Sequence, residues 1–305
     1  MTKVFFYQNL ASLAPKWPPL RQTFLSAGYV LGQQFQYVTE EPSDADYLLA
    51  VGDGALPVIR CTIPKERRIL ILMENPSIWT PPLDYLQYFG AVISPTSIPI
   101  PSGVRLILTQ PAVSWFYGLK FRTDRGLSHE PVLEDFLQLN DLAEMPKPAK
   151  TGLISCVVSQ KLGSAGHNWR VQTAIELKKY FGNEIDMFGF GWNPIEDKRD
   201  ALDKYAFSIV IENESRENYW TEKLSDAILG YAQPIYAGAP NVNSFFEQAI
   251  PTLIYGVAPG DFSMTVKKLL ESLPTDAELT ARRNWVMYRH NIFYHIAVLI
   301  DSGLL

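Results

Sequence analysis

Cysteine is scarce in this chain: Cys61 and Cys156 are the only two in 305 residues, each beside or within an apolar run, and no C-x-x-C pair exists. A disulfide framework is therefore excluded, and two reduced, buried thiols are expected. Positive charge is not in excess either. The 27 Lys and Arg stand against 32 Asp and Glu, for a net charge of −5. That balance argues against a broad basic face for nucleic acid, yet one cleft can still carry a local cationic pocket. No window approaches the ~20 apolar residues of a membrane helix. Met1 to Tyr7 is one short apolar run without the long apolar core of a secretion signal. The expectation is a cytoplasmic protein with no membrane span. Histidine is rare as well, and His290 and His295 are five apart, on opposite sides of a helix, so a shared metal is not expected. Gly52-Asp53-Gly54 lacks the longer glycine fingerprint of a dinucleotide site. Asp44-Ala45-Asp46 precedes an apolar run instead of ending one, which suits a loop turn better than a manganese ligand pair. No cofactor is expected.

Apolar residues are plentiful at 47%, against 19% charged, so the chain reads as globular and is long enough for two cores. In the first half, strands are expected at Val4–Tyr7, Phe35–Val38, Tyr47–Val51, Arg68–Met73, Ala91–Ile93 and Arg105–Leu108, with a helix over Leu20–Ala27. Arg68–Met73 is apolar after its first residue, as for a strand buried on both faces. The stretch Met145-Pro146-Lys147-Pro148-Ala149-Lys150 reads as a linker. The α/β alternation then restarts, with strands at Leu153–Val158, Glu184–Phe188, Ala206–Ile211, Gln233–Tyr236 and Thr252–Tyr255. Helices are expected over Asn168–Phe181, Tyr219–Leu229, Phe262–Leu273 and from Asp276 onward. The expected fold class is α/β: domains at 1–144 and 152–305 joined by a linker at 145–151, with two facing Rossmann-like, mostly parallel sheets. A ligand would sit at the carboxyl ends of the strands.

The stretch from Tyr205 to Phe246 carries the most chemistry. A buried strand ends in Glu212-Asn213, a polar loop follows, and Tyr219-Trp220-Thr221-Glu222-Lys223 opens a helix. At 100° per residue, Leu224, Ala227, Ile228 and Tyr231 form an apolar stripe, while Tyr219, Glu222, Lys223 and Asp226 cluster on another face. The start of a helix offers free N–H groups and the positive end of its dipole, which favour an anion such as a diphosphate. Lys223 would add a full positive charge, Glu222 could accept hydrogen bonds from sugar or ribose hydroxyls, and Tyr219 offers a flat face for a base. The plainer reading of the same pattern is a dipole-matched Glu and a solvated Lys.

Glu212-Asn213 followed five residues later by Asn218-Tyr219-Trp220-Thr221-Glu222-Lys223 resembles the E-N-x(5)-Y-x-T-E-K signature of the α1,3/α1,4-fucosyltransferase family. Gln233-Pro234-Ile235-Tyr236-Ala237-Gly238-Ala239-Pro240-Asn241 is similar to the family's P-x-x-x-G-x-P segment. Upstream, Ile154 to Ser159 with Arg170, and Asp186-Met187-Phe188-Gly189, resemble its preceding segments, so the likeness covers roughly Ile154 to Phe246. The resemblance implies a GT-B fold and an inverting transfer of fucose from GDP-fucose to a glycan hydroxyl. It implies that Arg170 and Lys223 hold the diphosphate and that Glu222 holds ribose or sugar hydroxyls. Tyr219 and Asn213 would line the nucleotide pocket, and Glu212 would lie beside the sugar or brace the loop. Any lipid-linked or surface glycan acceptor would be met on the cytoplasmic side.

Such a reaction needs cations aimed at the leaving diphosphate and a carboxylate base for the acceptor hydroxyl. The family's base is a Glu in the N-terminal domain, and Ser94-Pro95-Thr96-Ser97-Ile98-Pro99 offers no carboxylate where some members carry one. Glu74, at the end of the Arg68–Met73 strand, is the best-placed candidate, with Glu130 and Glu134 behind it. Gln110 to Gly118, with Trp115, Phe116 and Tyr117, could be an acceptor platform or simple packing. Two alternatives stay open: a related transferase using another nucleotide sugar, and a silent nucleotide-sugar-binding protein.

Overall fold

The computed structural model describes residues 1–8, 27–30, 33–38, 44–52, 61–74, 79–112, 114–122, 130–160 and 162–305. The chain divides into two compact units, Met1–Ser114 with Tyr288–Leu305, and Trp115–Met287.

The first unit is built on a seven-stranded sheet. Its strands are β1 (Thr2–Gln8), β2 (Ala27–Val30), β3 (Gln33–Val38), β4 (Tyr47–Gly52), β5 (Arg68–Leu72), β6 (Ala91–Ser94) and β7 (Arg105–Leu108). The order is β2-β3-β1-β4-β5-β6-β7, parallel except for the β2–β3 pair. Helix α1 (Leu83–Leu86) follows β5, and its Leu86 packs with Phe89, Leu70, Leu72 and Val92. The other group of sheet side chains, including Val4, Leu49, Ile69 and Ile71, is covered by the last helix of the chain, Ile292–Asp301. Phe293, Ile296 and Leu299 of that helix are buried there, each contributing about 1.5–3 kcal/mol. Tyr37 Oη also donates to Phe293 O at 2.6 Å. The expected helix over Leu20–Ala27 lies outside the described residues, save Ala27, which begins β2.

The second unit opens with an antiparallel pair, β8 (Leu119–Arg122) and β9 (Glu130–Phe136), and helix α2 (Leu139–Glu144). Its main sheet has four parallel strands in the order β11-β10-β12-β13: β10 (Gly152–Val157), β11 (Ile185–Phe188), β12 (Tyr205–Ile211) and β13 (Gln233–Ala237). Pro234 is tolerated because β13 is an edge strand, where a missing N–H costs no ladder bond. Helices α3 (Ala165–Phe181), α4 (Arg199–Leu202), α5 (Glu222–Leu229), α6 (Pro259–Leu269) and α7 (Asp276–Asn284) complete the unit. Ile154, Cys156, Phe207, Ile209 and Ile211 form its core with Ala174 and Leu177 of α3 and Phe262 of α6.

The division differs from the expected 1–144 and 152–305 domains with a 145–151 linker. Residues 115–144 join the second unit through long-range contacts. Buried Arg283 of α7 donates to the carbonyls of Leu142 and Leu229, and the N–H groups of Phe116 and Tyr117 bond Asp226. The expected linker is tied down too. Lys150 Nζ donates to the carbonyls of Leu202, Asp203 and Gly230, at 3.3, 2.8 and 2.6 Å. The strand expected over Thr252–Tyr255 is reduced to a single bridge between Tyr236 and Thr252. Helix α5 starts three residues later than the apolar pattern suggests, because Thr221 is its N-cap.

Candidate active site

The site grows from the end of β12. Glu212 follows directly and is fully buried, an arrangement that is costly unless the charge is paired and hydrogen-bonded. It is both. Glu212 accepts from Thr221 N at 2.9 Å and from Thr221 Oγ1 at 3.0 Å, and Lys223 Nζ lies 3.2 Å from it. Room for it depends on Gly238, where a Cβ would fall 2.6 Å from Glu212 Cγ and 2.2 Å from Tyr236 Oη. The loop between β12 and α5 is laced to the segment after β13. Asn218 N donates to Asn241 Oδ1, and Asn241 Nδ2 returns a bond to Asn218 Oδ1, both at 2.8 Å. Asn218 itself has φ +61°, a left-handed position that Asn tolerates.

At the start of α5 the Lys223 ammonium is fully employed. It donates to Thr221 Oγ1 at 2.9 Å and to Glu222 Oε1 at 3.2 Å, besides its contact with Glu212. Burial alone would raise the Glu222 carboxyl, but the charges of Lys223 and Lys198 outweigh it and hold the group down to about 2. Burial likewise opposes the Lys223 charge, yet Glu212 and Glu222 raise its pKa above the ordinary lysine value. From α3, Arg170 reaches the same corner. Its Nη1 donates to Asn213 Oδ1 and its Nη2 to Ser159 Oγ at 3.3 Å. Its Nε is buried with no hydrogen-bond partner among the described residues. Burial lowers the Arg170 pKa, an effect that Glu212 partly offsets.

A cavity of about 550 Å³ opens within the second unit, and Arg170, Glu222 and Lys223 all line it. That volume falls in the range of about 300–1,000 Å³ typical of small-molecule sites. Apolar walls come from Val157, Ile195 and Val210, and aromatic ones from Phe116, Phe121, Phe190 and Trp192. The turn after β11 shapes one side. Gly189 has φ +107°, and a Cβ there would lie 2.8 Å from Val158 O. Asp226 and Lys198 also line the cavity. Asp226, one turn beyond Glu222, accepts from Phe116 N at 2.7 Å and Tyr117 N at 2.8 Å and pairs with Lys198.

The sequence-predicted residues thus separate. Arg170, Glu222 and Lys223 converge on the cavity. Glu212 lies behind them as a brace for Thr221 and Lys223. Asn213 orients Arg170, and its carbonyl accepts from Tyr255 Oη at 2.9 Å. Tyr219 is buried at 5% exposure and does not line the cavity, so the flat face expected to meet a base is packed inside. Trp115 and Tyr117 are fully buried and serve packing, whereas Phe116 lines the cavity; Val113 of that run lies outside the described residues. Glu74 is half-buried, two residues past the end of β5 in the first unit. The Glu130 and Glu134 side chains lie outside the described residues. Lys198 and Asp226 were missed as a pair. The signal for Asp226 was its place four residues after Glu222, where two acids on one face repel unless cations answer them. Asp44 and Asp46 bond Lys3, Asp44 through its ammonium at 2.5 Å and Asp46 through its N–H at 2.9 Å, as befits a turn.

Residues 147–282 match the family model described as glycosyltransferase family 10 (fucosyltransferase) C-term. The whole corner built by Arg170, Glu212, Thr221, Glu222 and Lys223 lies inside that match, as does the resemblance read from Ile154 to Phe246. A protein of Arabidopsis thaliana described as fucosyltransferase-like is 39% identical over 81 residues, which span 26% of this chain and 16% of that protein. Among solved structures, an α1,3-fucosyltransferase with GDP-fucose aligns with a TM-score of 0.45 at 15% identity, covering 95% of this chain and 82% of that one. A pneumococcal O-GlcNAc transferase with UDP and GlcNAc aligns with a TM-score of 0.41 at 10% identity, covering 84% and 56%. No helix among the described residues is long and apolar enough to cross a membrane.

Proposed function

We propose that this chain is an inverting, metal-independent fucosyltransferase of the GT-B type, acting in the cytoplasm on GDP-fucose and a glycan hydroxyl. One observation carries the reading: Arg170 of α3 meets the adjacent Glu222 and Lys223 of α5, far from it in sequence, on one cavity inside the family-matched stretch. In the reaction the acceptor oxygen forms a bond to the anomeric carbon as the bond to the β-phosphate breaks. The bonding pair departs with GDP, and the hydroxyl proton passes to a carboxylate. Arg170 and Lys223 stabilise the charge gained by the diphosphate in a partly dry pocket, where fixed charges are most effective. Glu222 accepts from sugar or ribose hydroxyls, and its low pKa keeps it an acceptor at neutral pH. Glu212 and Asn213 hold Lys223 and Arg170 in place. Glu74, at a strand's carboxyl end, is the proposed base.

The test is a thermal-shift titration with GDP, UDP and ADP, followed by an assay of GDP release from GDP-fucose with a glycan mixture. The expected result is a stabilisation selective for GDP, and turnover with at least one acceptor. Equal response to all three nucleotides would remove the fucose reading, and tight GDP binding without turnover on a broad acceptor panel would leave a binding protein.

A further inference from the structure

The cavity has a charge problem. Its lining carries three cations, Arg170, Lys198 and Lys223, and three carboxylates, Glu196, Glu222 and Asp226. An anionic ligand gains little from a balanced wall unless some cation can leave its carboxylate. The three cations differ in what their departure would strand. Arg170 has no carboxylate to release among the ion pairs of the described residues, since its terminal nitrogens bond Asn213 Oδ1 and Ser159 Oγ. Lys223 is shared by Glu212, Glu222 and Thr221 Oγ1, and its departure would remove the counter-charge from two carboxylates at once. Lys198 pairs with Asp226 alone among the ion pairs of the described residues. Asp226 would not be orphaned by its loss, because Oδ1 already takes the N–H groups of Phe116 and Tyr117, at 2.7 and 2.8 Å. Lys198 also sits 5.1 Å over the Phe116 ring and keeps 17% of its side chain exposed, against 2% for Asp226.

We propose that Lys198 is a third anion-binding residue of this site: on ligand entry its ammonium exchanges the Asp226 carboxylate for the diphosphate, while Asp226 stays anchored on the 116–117 backbone. The inference rests on the donor-site reading above and deepens it. Arg170 has no carboxylate to give up, Lys198 is the cation that moves, and Lys223 keeps Glu212 and Glu222 neutralised while it faces the ligand. In the exchange a charge-assisted bond to phosphate replaces one to carboxylate.

Calorimetric titration with GDP, and ligand-observed NMR with guanosine for the weaker partner, tests this on the full chain. Lys198→Met is expected to weaken GDP about tenfold, or ~1.4 kcal/mol, while guanosine changes less than about twofold. Lys198→Arg should recover most of the GDP affinity, which separates lost charge from a damaged fold. Asp226→Asn retains an Oδ1 that can accept both backbone N–H groups and frees Lys198, so GDP should bind about threefold more tightly or better. The double variant Lys198→Met/Asp226→Asn should lose that gain. GDP affinity unchanged in Lys198→Met, equal losses for GDP and guanosine, or weaker GDP binding in Asp226→Asn would each overturn the proposal. If the unmodified protein binds no GDP, the donor-site reading itself fails, a result distinct from all of these.

Discussion

The carboxyl ends of β5 and β12 both run into a glutamate, Glu74 in the first unit and Glu212 in the second. Glu212 is sealed at 0% exposure, with Thr221 and Lys223 taking its oxygens. Glu74 is half-buried, within reach of solvent. The same topological position therefore yields two different carboxylates. One is consumed by its own protein and acts as an anchor; the other keeps the exposure that a proton-accepting base requires. Position at a strand end draws attention to a residue, but its burial decides what its charge can do.

The strongest way to break this contrast is to remove the anchor. Glu212→Ala would leave Thr221 N and part of the Lys223 charge without acceptors in a buried corner, and is expected to lower unfolding free energy by about 3–5 kcal/mol. Urea denaturation followed by circular dichroism measures it, and a loss under about 1 kcal/mol would mean that Glu212 does not brace the loop. Lys223→Ala attacks the same corner from the other side, exposing Glu212 and Glu222 to mutual repulsion. GDP affinity should fall at least about tenfold; if it stays within twofold, the diphosphate lies elsewhere. Glu74→Gln should show the reverse profile. Transfer from GDP-fucose is expected to drop about 100-fold or more with GDP affinity unchanged, as single-turnover kinetics and titration would reveal. Full activity in that variant would move the base to another carboxylate.

How much of this was legible beforehand depended on range. The helix at 222–229 and its polar face could be read because the apolar stripe of Leu224, Ala227 and Ile228 repeats at helical spacing. The gathering of Arg170 with Lys223 followed from the family resemblance, since nothing in spacing alone links α3 to α5. Asp226 could be placed on the polar face with Glu222 and Lys223 but given no role, because its partners Phe116 and Tyr117 lie about 110 residues upstream and bond through their backbone. Tyr219 was misplaced because an aromatic ring suits a ligand face and a core equally well. The unit boundaries were illegible for a similar reason. The apolar face of Ile292–Asp301 could cover either sheet, and only packing decides that it covers the first.

Acid titration sharpens the comparison on a smaller scale, because two carboxylates of α5 respond in opposite directions. Glu222 titrates at about 2 in the fold, against about 4.3 in an unfolded chain. Its contribution to stability is therefore complete above the ordinary carboxylate range and disappears as pH falls towards 2. Asp226 has its pKa raised by burial, with Lys198 opposing, so on acidification the folded state takes up that proton before the unfolded one, which favours folding. Glu222→Gln should flatten the loss of stability below about pH 4.3, and Asp226→Asn should steepen it, both measured as denaturation midpoints across pH.

The smallest effect concerns Lys150, in the stretch that reads as a linker and folds as a clamp. Its ammonium caps carbonyls at the ends of α4 and α5, and burial pushes its pKa down to about 8. Unfolded, the same lysine holds its proton to about 10.4. Between those values the unfolded chain carries more protons, so stability should rise with pH across that interval. Lys150→Met removes the titrating group and with it that slope, while also removing the cap. The variant should therefore be less stable than the unmodified chain near neutrality if the three hydrogen bonds outweigh the cost of burying the charge, and more stable if they do not. Thermal denaturation at pH 7 and pH 9.5 reads both quantities. A slope that survives the substitution would assign the alkaline transition to another group and leave Lys150 as a cap alone.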